Sequence, residues 1–165
     1  MRSPHLLIAA SNPIRLRENL RGILPADSIN LISDEFEKNV KSLHQLGLEH
    51  YRFAKRLSPN NWRQKVSRFY YSAYNIVRAI KLFHYGDYNT DVSDHKKITK
   101  MPDGFPNKEK YQNQLPSLRD DRNLADYDHT GSKSELLLTL SETTDLVTEL
   151  IADSKSFFRA KGMAI

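Results

Sequence analysis

The sequence predicts an all-α fold, a four-helix up-down bundle with a long loop between the second and third helices. Three observations support this prediction. Apolar residues recur at alternating spacings of three and four along four stretches of the chain, which is typical of amphipathic helices packed in a bundle. The segment 86–113 interrupts this pattern with glycine and proline. No stretch shows the alternation of apolar and polar residues that indicates a β-strand.

The first two predicted helices form an antiparallel hairpin. The first covers 34–57, and Ser33 is its predicted N-cap. The second has Asn60 or Asn61 as its cap and ends near Gly86, because glycine readily adopts the left-handed conformation that terminates a helix. Since the connection between them is short, the two helices must lie side by side.

Two further helices follow the long loop. A short third helix is predicted over 115–127, where Pro116 suits the first helical turn. The fourth is predicted to start at a capping box formed by Ser132 and Glu135 and to run to about residue 160. These two helices complete the predicted bundle.

Length and composition indicate one helical domain in the cytoplasm. We divide the chain into an N-terminal appendage at 1–30, with one short helix around 14–21, and a helical domain at 31–165. The chain has no cysteine, which excludes disulfides and thiolate metal sites. The apolar run near the start is too short for a signal peptide, and no stretch is long enough to span a bilayer, so we expect no membrane partner.

Positive charge is concentrated in the second predicted helix. The net charge is +5, and residues 61–90 carry five basic side chains against Asp87 alone, a local balance of +4. Two interpretations are open, a solvated basic face and a surface that attracts phosphate groups.

Arg122 occupies a position that its helical pattern assigns to the buried side, between Leu118 and Ala125. Burying a guanidinium costs on the order of several kcal/mol unless a partner offsets the cost. We therefore expect an anionic group beside Arg122. It is either a carboxylate of the protein, such as Asp121 or Asp126, or the phosphate of a ligand.

His129 lies in the turn after the third predicted helix, shortly before the capping box at Ser132. The free amide groups at a helix N-terminus attract anions, and a histidine nearby can move protons at neutral pH. A histidine in a surface turn, however, often has no functional role. The combination of Arg122 with His129 is what indicates chemistry on a phosphate.

The run from Arg122 to His129, Arg-Asn-Leu-Ala-Asp-Tyr-Asp-His, resembles the signature of HEPN domains. That signature is an Arg followed by a polar residue and, after four to six intervening positions, by a His. The residues of this run are similar to the motif of one bacterial branch of these domains. Residues 69–79 resemble the second helix of that branch. Ser93-Asp94-His95 in the long loop resembles a Ser/Thr-x-His element of such proteins. The likeness covers about 33–160.

The resemblance implies a metal-independent endoribonuclease of toxin or phage-defence type, with no cofactor. It implies a homodimer whose two Arg–His pairs face each other and whose RNA products end in 2′,3′-cyclic phosphate. Arg122 would bind the scissile phosphate, Asn123 would shape the site, and His129 would act in acid–base catalysis. Three further residues are expected to contact RNA, namely His95, Arg119 and Tyr127.

One feature of related toxins is missing. Some HEPN toxins carry a Tyr two residues after the His, which a nucleotidyltransferase antitoxin modifies with AMP. Here Thr130 and Gly131 follow His129, and Tyr127 precedes it. An antitoxin of that type remains an expected partner, but its target tyrosine is absent.

Two other functions remain open. One is a non-catalytic HEPN module that binds RNA, a nucleotide or a partner protein. The other is a helical adaptor in which Arg122 forms only a structural ion pair. His50 and His84 fall on the apolar stripes of the first two helices, so we interpret both as core or helix-end residues outside the chemistry.

Overall fold

The computed structural model describes residues 12–87 and 99–165. Within these residues the chain is helical and contains no β-strand, which confirms the all-α prediction. The described residues form five α-helices, α1 Pro13–Leu20, α2 Ala26–Arg56, α3 Trp62–Tyr85, α4 Lys108–Tyr127 and α5 Leu140–Ala160. None of them combines the length and the apolar character needed to cross a lipid bilayer.

α2 and α3 form the predicted helical hairpin, and α3 also packs against α4 and α5. Gly47 marks a close approach of α2 to α3, since a Cβ there would lie 2.8 Å from the side chain of Ile76. Gly86 ends α3 in the left-handed conformation, with φ at 65°. The predicted end of this helix is therefore confirmed.

α2 begins earlier than predicted, at Ala26. The prediction that Ser33 is an N-cap is wrong, because Ser33 lies inside the helix and its hydroxyl donates to the carbonyl of Ile29 at 3.0 Å. A serine side chain can satisfy the carbonyl four residues earlier as readily as it can cap a helix. Asp27 lies in the first turn of α2, where a carboxylate stabilises the helix dipole.

α4 also begins earlier than predicted, so Pro116 lies inside the helix instead of in its first turn. A proline in a helix interior costs about 3 kcal/mol. The added turns bury Tyr111 completely, and the Tyr111 hydroxyl donates to Asp153 Oδ2 at 2.5 Å. Burial of this large side chain offsets the cost of the proline.

The start of the last helix was also predicted at the wrong residue. The capping box of Ser132 and Glu135 is present, but it opens only a 3₁₀ turn, Lys133–Glu135. A second box formed by Thr139 and Glu142 starts α5. The two capping boxes begin seven residues apart, and the start of the helix was predicted at the first of them.

The side chain of Asn12 connects α1 to the end of α3 by hydrogen bonds. Its side-chain oxygen accepts hydrogen bonds from the amides of Ile14 and Arg15, both at 3.1 Å. Its amide group donates to the carbonyl of Tyr85 at 2.8 Å. The short helix predicted around 14–21 is thus present and docked on the bundle.

His44 is a buried histidine between α2 and α5, with 1% of its surface exposed. The Ser154 hydroxyl donates to the carbonyl of Ile151 at 2.8 Å, so it accepts from His44 Nε2 at 3.0 Å. Burial, together with the charge of Lys155, lowers the pKa of His44 to about 4. His44 is therefore neutral in the folded protein at neutral pH.

We predict that the free energy of unfolding falls as the pH drops from 6.5 towards 4. In this range the unfolded chain protonates His44 and the folded chain does not, so acid favours unfolding by up to the order of 3 kcal/mol. Chemical denaturation across this pH range measures the effect. His44→Gln, which keeps a donor for Ser154, should flatten the profile. An unchanged profile would contradict the assignment.

Candidate functional site

Arg122 lies on α4 and faces α3, with only 11% of its side chain exposed. Its Nε is 2.9 Å from Asp126 Oδ2, at an angle too bent for a hydrogen bond. Nη2 donates to the Tyr71 hydroxyl at 2.6 Å, and Nη1 donates to Asn123 Oδ1 at 3.1 Å. Of the two carboxylates considered as partners, Asp126 is the one that pairs with Arg122.

Asp121, the other considered partner, has a different role. It is buried, and its two carboxylate oxygens accept hydrogen bonds from the backbone amides of Leu137 and Leu138 at 2.6 and 3.0 Å. Burial raises the pKa of Asp121, although these two bonds act in the opposite direction. Asp121 thus fixes the segment that leads into α5.

Three tyrosine rings surround the Arg122 guanidinium. Its Cζ lies 5.3 Å from the ring centroids of Tyr70 and Tyr71 and 5.0 Å from that of Tyr127. Such contacts stabilise a cation by about 1 kcal/mol or more where water is excluded. Burial acts to lower the pKa of Arg122, but the bond to Tyr71 and the nearby acidic groups raise it above its usual value. Arg122 is therefore a permanent cation.

His129 is exposed in the turn that follows α4. It lines a shallow depression of the surface together with Asn123, Leu124 and Tyr127. Because Asn123 accepts a hydrogen bond from Arg122, this depression adjoins the guanidinium. The structure thus brings Arg122, Asn123, Tyr127 and His129 to the C-terminal end of α4.

The other predicted site residues lie in different surroundings. Arg119 donates from Nε and Nη2 to Asp120 Oδ1, at 3.0 and 2.9 Å. His95, with the Ser-Asp-His element around it, lies outside the described residues. His50 and His84 are half-buried and lie near the C-terminal ends of α2 and α3, respectively. Their rings pack against neighbouring tyrosines.

The turn that carries His129 is ordered by Asp128. Its Oδ1 accepts hydrogen bonds from the Thr130 amide at 2.9 Å, the Thr130 hydroxyl at 2.8 Å and the Gly131 amide at 3.0 Å. These bonds, led by the one from the Thr130 hydroxyl, lower the pKa of Asp128. A Cβ on Gly131 would lie 2.6 Å from Leu124, so the turn packs closely on α4.

Arg63 holds the same turn from α3. Its guanidinium donates to four carbonyl oxygens, those of Leu124 at 3.2 Å, Ala125 at 3.0 Å, Asp128 at 2.5 Å and Gly131 at 2.5 Å. Carbonyls at the end of a helix lack partners within the helix and form the negative end of its dipole. Arg63 therefore satisfies the end of α4 and fixes the turn of His129 to α3.

Sequence reasoning missed the role of Arg63, although a signal was present. Arg63 lies in the first turn of α3, where the helix dipole disfavours a cation. A cation in that position suggests a partner in another part of the protein. The role of Tyr71 was also missed, because an aromatic residue at helical spacing is usually a packing residue.

The basic residues of α3 do not form one solvated face. Lys65 donates to the carbonyl of Leu57 at 2.9 Å, and Lys81, with 3% of its side chain exposed, lies 3.7 Å from Asp87. Arg63 is engaged by the end of α4. Much of the positive charge of this helix therefore contributes to the fold.

We predict that Arg63→Met loosens the turn of His129. Losing a charged donor to several carbonyls should lower the free energy of unfolding by about 2 to 3 kcal/mol and speed amide hydrogen exchange at 128–131. Arg52→Met, which removes an exposed cation from α2, is the matched control and should change neither quantity. Equal exchange rates in the two variants would contradict the role of Arg63.

No protein-family model, no curated protein and no solved structure matches this chain in the comparisons. The resemblance to HEPN domains therefore stays a prediction that rests on the motif from Arg122 to His129. The geometry of the residues is the basis for any functional conclusion.

Proposed function

We propose that this protein is a metal-independent endoribonuclease of toxin or phage-defence type. It acts as a homodimer in which each protomer contributes Arg122 and His129. The observation that supports this proposal is a guanidinium held in place beside Asn123, in the same surface region as the exposed His129. Metal-free cleavage of RNA requires positive charge at the phosphate and groups that transfer protons, and Arg122 and His129 are of these two types.

Arg122 retains hydrogen-bonding capacity for a phosphate. A guanidinium carries five N–H groups. Nε faces Asp126, and the two Nη atoms each donate once, to Tyr71 and to Asn123. Each Nη therefore keeps a second N–H, and a fork of this kind binds phosphate oxygens. The same contacts orient the guanidinium before substrate arrives, so it can stabilise the charge of the phosphorane at little reorganisation cost.

His129 supplies the proton transfers. The RNA 2′-hydroxyl attacks the adjacent phosphorus, and the bond from phosphorus to the 5′-oxygen breaks, which leaves a 2′,3′-cyclic phosphate and a 5′-hydroxyl. One group must accept the proton of the 2′-hydroxyl, and another must give a proton to the leaving 5′-oxygen. Each motif has one histidine, so the His129 of a second copy completes the pair.

The proposed dimer places these motifs across a two-fold axis. Tyr127 lies beside His129 with 70% of its surface exposed, and an aromatic side chain so exposed is typical of a surface that becomes covered. We infer that α2 to α5 correspond to the four-helix up-down bundle of HEPN type. The hairpin of α2 and α3 and the packing of α4 and α5 on α3 support this inference.

A non-catalytic RNA-binding module is the second candidate. The observation that favours it is the ion pair of Arg122 with Asp126, since a cation already paired in the protein has less to offer a transition state. The variants described next distinguish the two functions.

We predict that His129→Ala lowers RNA cleavage by about two orders of magnitude or more and leaves the melting temperature unchanged, because His129 is exposed. Arg122→Ala should lower cleavage by a similar factor and also the melting temperature, since Asp126 and Tyr71 lose their partner. The matched control is His84→Gln, outside the site, which should retain activity. A folded His129→Ala protein with full activity would contradict the role of His129, and a wild-type protein that cleaves no RNA would favour the binding module.

We predict further that the protein is a dimer at micromolar concentration, as measured by light scattering. Tyr127→Glu should shift it to a monomer and abolish cleavage, because a charge would be buried at the interface. Leu31→Glu, at an exposed position of α2, is the control and should remain dimeric. A monomeric wild-type protein that cleaves RNA would exclude the composite site.

A further inference from the structure

A groove of about 450 Å³ lies where the end of α2, the start of α3 and the end of α4 meet. It is lined by Phe53, Arg63, Gln64, Ser67, Arg68 and Asp126. Its size falls in the range of sites for small organic ligands. Asp126 joins the groove to the site described above, because the same carboxylate pairs with Arg122 and accepts a hydrogen bond from Ser67 at 3.3 Å.

In this groove the Arg68 guanidinium lies over the ring of Phe53. Phe53 is an aromatic residue with 43% of its surface exposed, and the Arg68 guanidinium lies 5.4 Å from the centre of its ring. Arg68 Nη1 lies 3.4 Å from His50 Nδ1. Burial, together with the charge of Arg68, lowers the pKa of His50, so the imidazole is neutral and can accept from the guanidinium. Arg68 is thus oriented without its charge being cancelled.

No carboxylate of the described residues lies within ion-pair distance of Arg68, and the chain around it is strongly basic. Residues 51–68 contain six basic side chains and no acidic one. Burial, and then the charge of Lys55, lowers the pKa of Lys65 in the same region. The carboxylate in the groove, Asp126, is already paired with Arg122. This end of the hairpin therefore attracts anions.

We propose that this groove binds one nucleotide of single-stranded RNA, whose base stacks on Phe53 and Arg68 and whose phosphate meets the Arg68 charge. Aromatic rings and guanidinium planes are the surfaces on which unpaired bases stack. The bases of a duplex already stack on one another and cannot enter such a groove. This inference rests on the proposed function, because the RNA strand bound in the groove would be the substrate strand that leads to Arg122.

The test is a binding measurement that does not depend on cleavage. Fluorescence anisotropy of the wild-type protein with a labelled 2′-O-methyl RNA single strand reports binding, because the methyl group blocks the attacking hydroxyl. We expect the single strand to bind more tightly than a 2′-O-methyl duplex of the same length. Phe53→Ala should raise the Kd of the single strand about 5- to 150-fold, which corresponds to the loss of one base-stacking contact of about 1 to 3 kcal/mol.

Arg68→Gln should weaken binding and reduce the dependence of log K on log salt by about 0.7, the value for one phosphate of a single strand. Two exposed residues of α2 provide matched controls. Leu31→Ala removes an exposed apolar side chain about 33 Å from Phe53, and Lys38→Gln removes an exposed cation. Both should bind as the wild type does. Circular dichroism of each variant establishes that it is folded.

The outcomes separate this inference from the proposed function. If folded Phe53→Ala and Arg68→Gln bind the single strand as tightly as wild type, or if duplex binds equally well, the groove is not a nucleotide site, even if the protein cleaves RNA. If both variants lose affinity while the wild-type protein cleaves no RNA, the groove stands and the nuclease proposal fails. If the controls Leu31→Ala and Lys38→Gln also lose affinity, the effect reflects the overall charge and packing of the protein, and the inference is overturned.

Discussion

The contact between α3 and the C-terminal end of α4 is the interaction on which the candidate site depends. Two guanidinium groups form it from opposite sides. Arg63 of α3 donates to carbonyls at the end of α4, and Arg122 of α4 donates to the Tyr71 hydroxyl of α3. The first of these contacts fixes the turn that carries His129. Hydrogen bonds to other residues, and not a bond between Arg122 and His129, thus set the position of His129 relative to Arg122.

Under the proposed function, Arg122 has both a structural and a chemical role. A buried guanidinium is stable only if its charge is offset, and Asp126 with three tyrosine rings provides the offset. The same contacts orient the cation, and each Nη atom makes only one of its two possible hydrogen bonds. Asp126 also lies at the edge of the groove that holds Arg68, so the proposed strand-binding groove and the proposed reaction centre share one carboxylate.

Sequence reasoning predicted the features that depend on local chemistry. The end of α3 at Gly86 required a left-handed residue. An anionic partner of Arg122 was expected, with Asp126 as one of several candidates, and their spacing of one helical turn explains why Asp126 is the carboxylate that pairs. Ser33 was misassigned because a serine can cap a helix or bond back to its interior, and only packing decides between the two. The hydrogen bonds of Arg63 to the end of α4 join residues more than sixty positions apart. A cation in the first turn of a helix indicates a partner elsewhere in the protein, but it does not identify that partner.

The proposed function requires that Arg122 and His129 cleave RNA without a metal ion. The most direct measurement is incubation of the purified protein, freed of any bound antitoxin, with mixed RNA in excess EDTA, followed by analysis of the product ends. We expect undiminished cleavage and products that carry 2′,3′-cyclic phosphate and 5′-hydroxyl groups. Activity that disappears in EDTA and returns with magnesium, or an absence of cleavage under both conditions, would contradict it.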